Sequence, residues 1–437
     1  MKSRAHLSWL YRELPELVGQ GVIRPEVAER LREHYGEPEM AGGSAKQRAI
    51  ILFSILGALL IGGGVILLLA HNWDVLSRPL RAAIAVAPLA VAAMLGAWLL
   101  WTRNSGVAWR EGVGTAQTLA IGASIALVSQ TYNMGGSFDD YMLTWSLLAL
   151  PVAYLLRATL PALLYLAGIA VWAGSVAHLG LRGLWYFPLL AAVLPFIWLA
   201  SQPERYHPRA LLLTWFLAVT ASFGVADALR PAYVPLEIWP LLFGSLFALL
   251  YLAGARWWSD ASSAWQRPLQ TVGALGIVGL CLVLSFYDVW DAGEWSPRRD
   301  EVAAMHLLVI ALIPLAAVLL WIAAWRHKGW SDIMLGGVTP LALAGWLAAV
   351  NGGVLLSTIL FNLYLLVLGT GTLVAGLRSR RLASINAGMA VLSAVILCRF
   401  FDSEISFIIR GLAFIAIGLG FLVVNMLMLR RKPEGEA

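Results

Sequence analysis

From position 49 onward the chain is a succession of uncharged apolar runs, most of them closed by Arg, Lys, Asp or an Asn-Gly turn. A helix crossing the hydrocarbon core of a bilayer takes about 20 such residues. Cutting at charges and turn residues gives fourteen predicted spans: 49–71, 79–102, 112–131, 140–157, 158–178, 183–201, 208–228, 235–255, 267–288, 302–325, 332–350, 353–377, 382–401 and 405–429. Arg157 alone separates spans 140–157 and 158–178, which leaves open whether these are two full crossings. Asn351-Gly352-Gly353 divides an uncharged stretch from Ile333 to Leu377 that is far too long for one crossing, and Asn-Gly-Gly is a strong turn signal. The pattern predicts an all-α fold: a polytopic transmembrane helical bundle over residues 49–430 with a cytoplasmic tail at 431–437.

Before the first span the periodicity changes. Leu7, Leu10, Leu14 and Leu17 recur at helical spacing, Gly19-Gln20-Gly21 interrupts them, and Pro25 stands where a second helix should begin. In that second helix Val27, Leu31 and Tyr35 form a stripe opposite Glu26, Glu29, Arg30 and Glu33. Residues 1–48 therefore read as a small cytoplasmic helical hairpin followed by a linker at 36–48. A unit this small buries too little apolar area to be stable alone, so residues 7–35 are expected to dock on a protein partner, on a second copy or on the bundle. With 15 charged side chains in the first 48 residues and no apolar core of sufficient length, no cleavable signal peptide is expected, and the first span serves as its own insertion signal.

Composition narrows the class. The chain is 60% hydrophobic and 13% charged, where soluble proteins have roughly 45–50% and about 25%, and this excludes a soluble enzyme. The net charge of +6 does not indicate nucleic acid, because the basic residues are scattered one to three at a time between apolar runs. Lys and Arg are retained on the cytoplasmic side of a membrane. With fourteen spans and the N-terminus inside, 23 basic residues fall on the inner side and 8 on the outer, against 13 and 12 acids, so the inner side carries +10 and the outer −4. Removing one span would invert everything downstream and spoil the bias. An even number of spans with both termini cytoplasmic follows.

Trp73, Trp101, Trp109, Trp185, Trp257, Trp258, Trp290, Trp325 and Trp330 sit at predicted span ends as an interfacial belt. Small-xxx-small pairs such as Ala58/Gly62, Gly122/Ala126 and Ala416/Gly420 suit close helix packing. Cys281 and Cys398 read as small buried residues that could pair only if their helices adjoin. Pro88, Pro151, Pro195, Pro240, Pro314 and Pro340 fall inside spans and mark kinks or broken helices. Gln117, Asn362, Asn386 and Asn425 are the deeper polar positions, with Asn386 and Asn425 at similar depth, and no acid stands at the middle of a span. A pump built on a midplane carboxylate is disfavoured for that reason.

Three polar clusters are candidate sites. His71, Asn72, Trp73 and Asp74 close the first span and could hold a cation, a proton or a polar headgroup, or simply form a turn with an interfacial indole. Ser129, Gln130, Tyr132 and Asn133, followed by Gly135-Gly136, Asp139 and Asp140, lie at the outer end of the third span, with Gln130 and Asn133 on one face if the helix persists. Both clusters are predicted on the outer side, lining one outward-facing polar cavity or forming two ordinary polar loops. Arg399, Asp402, Glu404 and Arg410 surround the last outer turn and read as a structural ion pair closing the bundle rather than a transport charge. His71, His178 and His306 lack metal-ligand spacing, no nucleotide, hydrolase or heme motif is present, and neither metal nor cofactor is expected.

The hairpin pattern, then Gly57-Ala-Leu-Leu-Ile-Gly-Gly-Gly64, His71-Asn-Trp-Asp74, and Gln130-Thr-Tyr-Asn133-Met-Gly-Gly136 with Trp145 resemble the bacterial membrane proteins grouped as domain of unknown function 2157. The resemblance covers about the first 160 residues, and Phe361-Asn-Leu-Tyr364 and Asn386-x-Gly388 share its flavour; the family usually has Ala where this chain has His71. It implies a bacterial inner-membrane location and no particular activity. The many spans, short loops and Gly and Pro content suggest a carrier or flippase-like protein for a small polar or amphipathic solute. A non-catalytic scaffold docking partners through the hairpin is the alternative, and an integral-membrane lipid or glycan enzyme a more distant one.

Overall fold

The computed structural model describes residues 13–15, 17–35, 76–102, 106–202, 205–236, 238–258, 261, 263–291, 304–325, 329–400 and six positions between 408 and 419. Spans 49–71 and most of 405–429, the linker, and the motif residues Gly57–Gly64 lie outside them. The chain divides into two units at Arg81/Ala82. Among the described residues there is helix and no strand.

In the first unit, residues 13–15 and 17–19 are helical, and the chain turns through Gly21 at φ +71°, where Val22 N–H reaches the Leu17 carbonyl at 3.0 Å. Helix α1, Pro25–Tyr35, starts at its proline as expected, since that position needs no N–H donor. Leu14 and Ala28 are buried while Val27 is exposed. The buried face of α1 thus lies one residue round from the predicted Val27 stripe.

In the second unit, α2 (Arg78–Thr102), α3 (Val107–Tyr132), α4 (Phe138–Leu156), α5 (Thr159–Ser175), α6 (Tyr186–Ser201), α7 (Pro208–Leu236), α8 (Trp239–Trp257) and α9 (Pro268–Leu284) follow one another. After them come the short α10 (Tyr287–Asp291), then α11 (Ala304–Trp325), α12 (Trp330–Gly336), α13 (Val338–Val350), α14 (Val354–Ser379) and α15 (Leu382–Phe400). Among the described residues nine helical segments are long and apolar enough to cross a membrane. α5 and α9 are apolar but shorter. The surface is inverted relative to a soluble protein: Leu308, Leu312, Leu315, Leu319 and Ile322 form an exposed stripe at helical spacing along α11, the side that faces lipid. Aromatic side chains fill the interior, with Tyr165, Trp172, Tyr186, Trp290 and Phe361 fully buried.

At Arg157 the chain turns back between α4 and α5, neither of which is among the nine segments long and apolar enough to cross a membrane. Both carboxylate oxygens of Glu111, in the first turns of α3, accept from the Thr159 N–H at 2.8 Å, and Oε2 also accepts from Leu160 N–H at 3.0 Å. Arg209, at the start of α7, donates to Glu111 at 2.8 Å, to Thr159 Oγ1 at 2.7 Å and to the Arg157 carbonyl at 2.8 Å. At the far end of the same hairpin, Arg182 follows α5 and reaches Asp139 and Asp140 at the start of α4. The chain therefore runs from one end of the bundle to the other and back within residues 138–182. Arg157 itself adopts a left-handed conformation, φ 50° and ψ 40°, a cost of roughly 1–2 kcal/mol for a residue with a Cβ. Arg205 donates to the Trp257 carbonyl at 3.2 Å, which brings the α6–α7 and α8–α9 connections to the same end as Glu111.

Several expectations are corrected. Span 332–350 is a broken helix, α12 and α13 joined at Gly337, because Pro340 has no N–H to offer the Gly336 carbonyl. The indole of Trp321 donates to Ile333 O at 2.8 Å and the Tyr364 hydroxyl to Met334 O at 2.9 Å, both in the last turn of α12. Pro240 lies in the first turn of α8 and kinks no helix interior, whereas Pro340 accompanies the break between α12 and α13, in keeping with its reading as a mark of a kink or broken helix. Pro195 does interrupt α6, and there the Tyr154 hydroxyl donates to Ala192 O at 2.7 Å and accepts from Phe196 N–H at 3.2 Å, standing in for one rung of the ladder. Trp258 and Trp290 are buried rather than interfacial; Trp290 stacks on Phe361 and donates to Leu284 O. Cys281 and Cys398 are both free thiols.

Removing the carboxylate that caps α5 and pairs with Arg209 should cost about 2 kcal/mol. Glu111→Ala and Arg209→Ala are each expected to lower the melting temperature of the purified protein in detergent. The double variant should lose less than the sum, since the two side chains serve one network; strictly additive losses would contradict a shared clamp.

A polar cleft between two helices

α3 ends at Tyr132, and Asn133 takes a left-handed conformation, φ 48° and ψ 41°, that its short amide side chain tolerates. Its N–H turns back to Gln130 O, and Met134 N–H bonds Ser129 O at 2.9 Å. The helix does not persist, so Gln130 and Asn133 do not share a face as expected. Gly135 and Gly136 lead to Ser137, whose side chain accepts from Asp140 N–H at 3.3 Å and caps α4. Two acids in the first turn of α4 are favoured by the partial positive charge of that helix end.

Arg182, from the short 3₁₀ turn Gly180–Trp185, binds both acids: Nη1 lies 2.6 Å from Asp139 and Nη2 lies 2.7 Å from Asp140. The Asp140 contact is an aligned hydrogen bond, while Asp139 is held charge to charge without that alignment. Asp139 is largely buried, its side chain 12% exposed, so the pairing neutralises a carboxylate with little access to water.

Between α3 and α4 lies an open cleft of about 660 Å³, lined by Ser124, Ile125, Val128, Ser129, Gly135, Gly136, Ser137, Asp140, Tyr141 and Thr144 among others. Ser124 is eight residues inside α3, about 12 Å below its end at 1.5 Å per residue. The floor is aromatic. Tyr141 and Trp145 stack with centroids 6.5 Å apart, the Trp145 indole donates to Thr118 O at 2.8 Å, and both rings pack where Gly122 has no side chain; a Cβ there would stand 3.0–3.2 Å from them. The serine and threonine hydroxyls lining the cleft spend their protons elsewhere. Ser124 donates to Ala85 O, Ser129 to Met134 O, Ser137 to Asp140 and Thr144 to Asp140 O, at 2.7, 3.0, 2.9 and 2.8 Å. What they present to the cleft is oxygen lone pairs.

The predicted cluster supplies part of this cleft, since Ser129, Gly135, Gly136 and Asp140 line it. Gln130, Tyr132 and Asn133 are exposed around the turn and Asp139 faces Arg182, while the lining comes from Ser124, Ser129, Ser137, Asp140 and Thr144. The sequence carries a signal for some of these in the hydroxyl spacing of α3, but none for Arg182, which is 42 residues from its partner. His71, Asn72, Trp73 and Asp74 lie outside the described residues. So do Asp402, Glu404 and Arg410; Arg399 is described, donating to Ser285 O and Oγ at 2.6 Å with its guanidinium 4.5 Å above the Phe286 ring. Asn362 also reaches Ser285 O, at 2.8 Å.

Residues 15–162 match the family model described as predicted membrane protein (DUF2157), about a third of the chain, and the match bears out the resemblance over that stretch. Both helices of the cleft fall within it. No curated protein and no solved structure matches the chain.

Replacing Arg182 with Gln leaves Asp139 without its countercharge and should cost about 2 kcal/mol, less than for a fully buried pair because Arg182 is partly exposed. The double variant Asp139→Asn with Arg182→Gln is expected to recover most of that loss. Thermal melting of the three proteins checks it; failure of the double variant to recover would mean the pair is not what holds α4 to the 3₁₀ turn.

Proposed function

We propose that this integral membrane protein carries a small polar or amphipathic solute, admitted through the cleft between α3 and α4. The observation that supports the reading most directly is a cleft that reaches Ser124, about 12 Å along α3, and sets serine, threonine and Asp140 oxygens in an otherwise apolar lining that includes Tyr141. Its serine and threonine protons are committed and Asp139, Asp140 and Arg182 together leave one negative charge. A solute rich in hydrogen-bond donors, neutral or cationic, is therefore favoured. Fourteen spans, both termini in the cytoplasm and a bacterial inner-membrane location complete the proposal, on the strength of the charge count and the family resemblance. In that orientation the cleft faces outward, residues 1–48 form a cytoplasmic hairpin and linker, and the tail at 431–437 is cytoplasmic.

A second reading, a scaffold that docks a protein partner or another copy through residues 7–35, is favoured by the exposure of Val22 and Val27 on so small a unit. The two readings separate on the cleft itself.

With Cys281 and Cys398 replaced by Ala, single cysteines at Ser129 and Ser124 test access. A membrane-impermeant thiol reagent added to intact cells is expected to label Ser129→Cys quickly and Ser124→Cys more slowly, and Trp145→Ala should accelerate the deeper site by opening the floor. Labelling of neither position, or labelling only after the cytoplasmic face is exposed, would remove the support for an outward-facing carrier.

A further inference from the structure

We propose that a second cavity, between α8, α11 and α12, binds the headgroup of a phospholipid that carries both a phosphate and a primary ammonium. It shares no residue with the cleft between α3 and α4 and holds about 560 Å³. Leu252 and Ala255 from α8 and Leu320 and Ala323 from α11 make an apolar wall, and Arg256 and Asp332 add one charge of each sign. The two charges form no ion pair with each other. Asp332 instead accepts from the Tyr251 hydroxyl at 3.1 Å, and Tyr251 is itself buried, so the carboxylate is held in place at the cavity. α12 is fixed from its other side, because the Trp330 ring lies where Gly371 of α14 has no side chain and the Trp321 and Tyr364 side chains take its last carbonyls.

Depth identifies the occupant. Trp257, Trp325 and Trp330 are each 40–53% exposed and end or begin the three helices that enclose the cavity. Exposed indoles at helix ends stand at the headgroup layer of a bilayer. The same helix α11 that lines the cavity with Leu320, Ala323 and Ala324 carries the exposed stripe Leu308, Leu312, Leu315, Leu319 and Ile322 on a neighbouring face, a surface suited to an acyl chain. A cation and an anion that do not pair with each other, at headgroup depth and above an apolar wall, match a zwitterionic headgroup whose phosphate meets Arg256 and whose ammonium donates to Asp332. An anionic headgroup satisfies only Arg256 and sets its charge near Asp332. A trimethylammonium headgroup carries the right charges but has no N–H for the carboxylate.

The test uses the full chain in lipid nanodiscs holding equal amounts of phosphatidylethanolamine, phosphatidylcholine and phosphatidylglycerol with matched acyl chains, and counts the lipid that remains bound by native mass spectrometry. Wild-type protein is expected to retain phosphatidylethanolamine about tenfold over the other two, the ratio one charge-assisted hydrogen bond supplies. Asp332→Asn should erase the preference over phosphatidylcholine, Arg256→Gln should lower retention of all three, and Ala323→Trp should lower it while leaving both charges in place. Tyr251→Phe, which frees Asp332 without removing its charge, should weaken the preference partly and guards against a variant lost to misfolding. Equal retention of the three lipids by the wild type would overturn the proposal. So would displacement of the lipid by glycerophosphoethanolamine at the same concentration, which would mark a soluble solute as the ligand.

Discussion

Within hydrocarbon no water is available to hydrogen-bond the backbone, so every place where a helix ends or breaks must be met by the protein itself. The structure meets this constraint by sending side chains across long stretches of sequence. Glu111 covers the first amides of α5 from 48 residues away, Trp321 and Tyr364 take carbonyls at the end of α12, Tyr154 bridges the gap that Pro195 opens in α6, and Arg399 and Asn362 both reach Ser285 at the end of α9. Each of these also ties two helices together. Satisfying the backbone and assembling the bundle are thus one event rather than two.

Such reach demands close approach, and the glycines are where it occurs. Gly122 admits Tyr141 and Trp145, Gly371 admits the Trp330 ring, Gly336 admits Trp321, and Gly388 lies against the backbone of Leu373 and Gly369. A methyl at any of them would push on a ring or a main chain rather than on a flexible side-chain end. The small-residue pattern visible along the chain is therefore a record of where aromatic side chains and neighbouring helices must pass, which is more specific than general close packing.

The periodic part of this architecture was legible before any coordinates. Predicted spans from 79–102 to 382–401 each have a described helix, the turn at Asn351-Gly352-Gly353 is present with Gly352 at φ +79°, and the single charge at Arg157 was a sufficient marker for a return of the chain. What was not legible is pairing at a distance. Nothing near Glu111 or Arg182 in sequence marks their partners, and Trp290 looked like an interfacial indole, because a local pattern does not show which helix end will lie beside which. The break at Gly336-Gly337 was marked only by Pro340, because residues 332–350 otherwise have the composition of a continuous span and the missing hydrogen bond falls four residues before the proline. In the candidate site the sequence left open whether the helix persists to Asn133, since Asn is compatible with helix and turn until its φ is known.

The same economy of hydrogen bonds shapes the cleft between α3 and α4. A serine or threonine in an apolar helix finds the cheapest partner for its proton in a backbone carbonyl, its own or a neighbour's. Ser124, Ser129 and Thr144 all do this, Ser124 across to α2. The donor half of each hydroxyl is then fixed by the fold, and only the acceptor half is left for anything entering the cleft. Asp140, paired with Arg182 on one side, adds further acceptor oxygens to the same wall. A solute lacking donors would leave those lone pairs unmet after displacing water, while a solute with donors would meet them. Discrimination toward hydrogen-bond donors thus arises from how the backbone is satisfied and needs no residue placed for recognition alone.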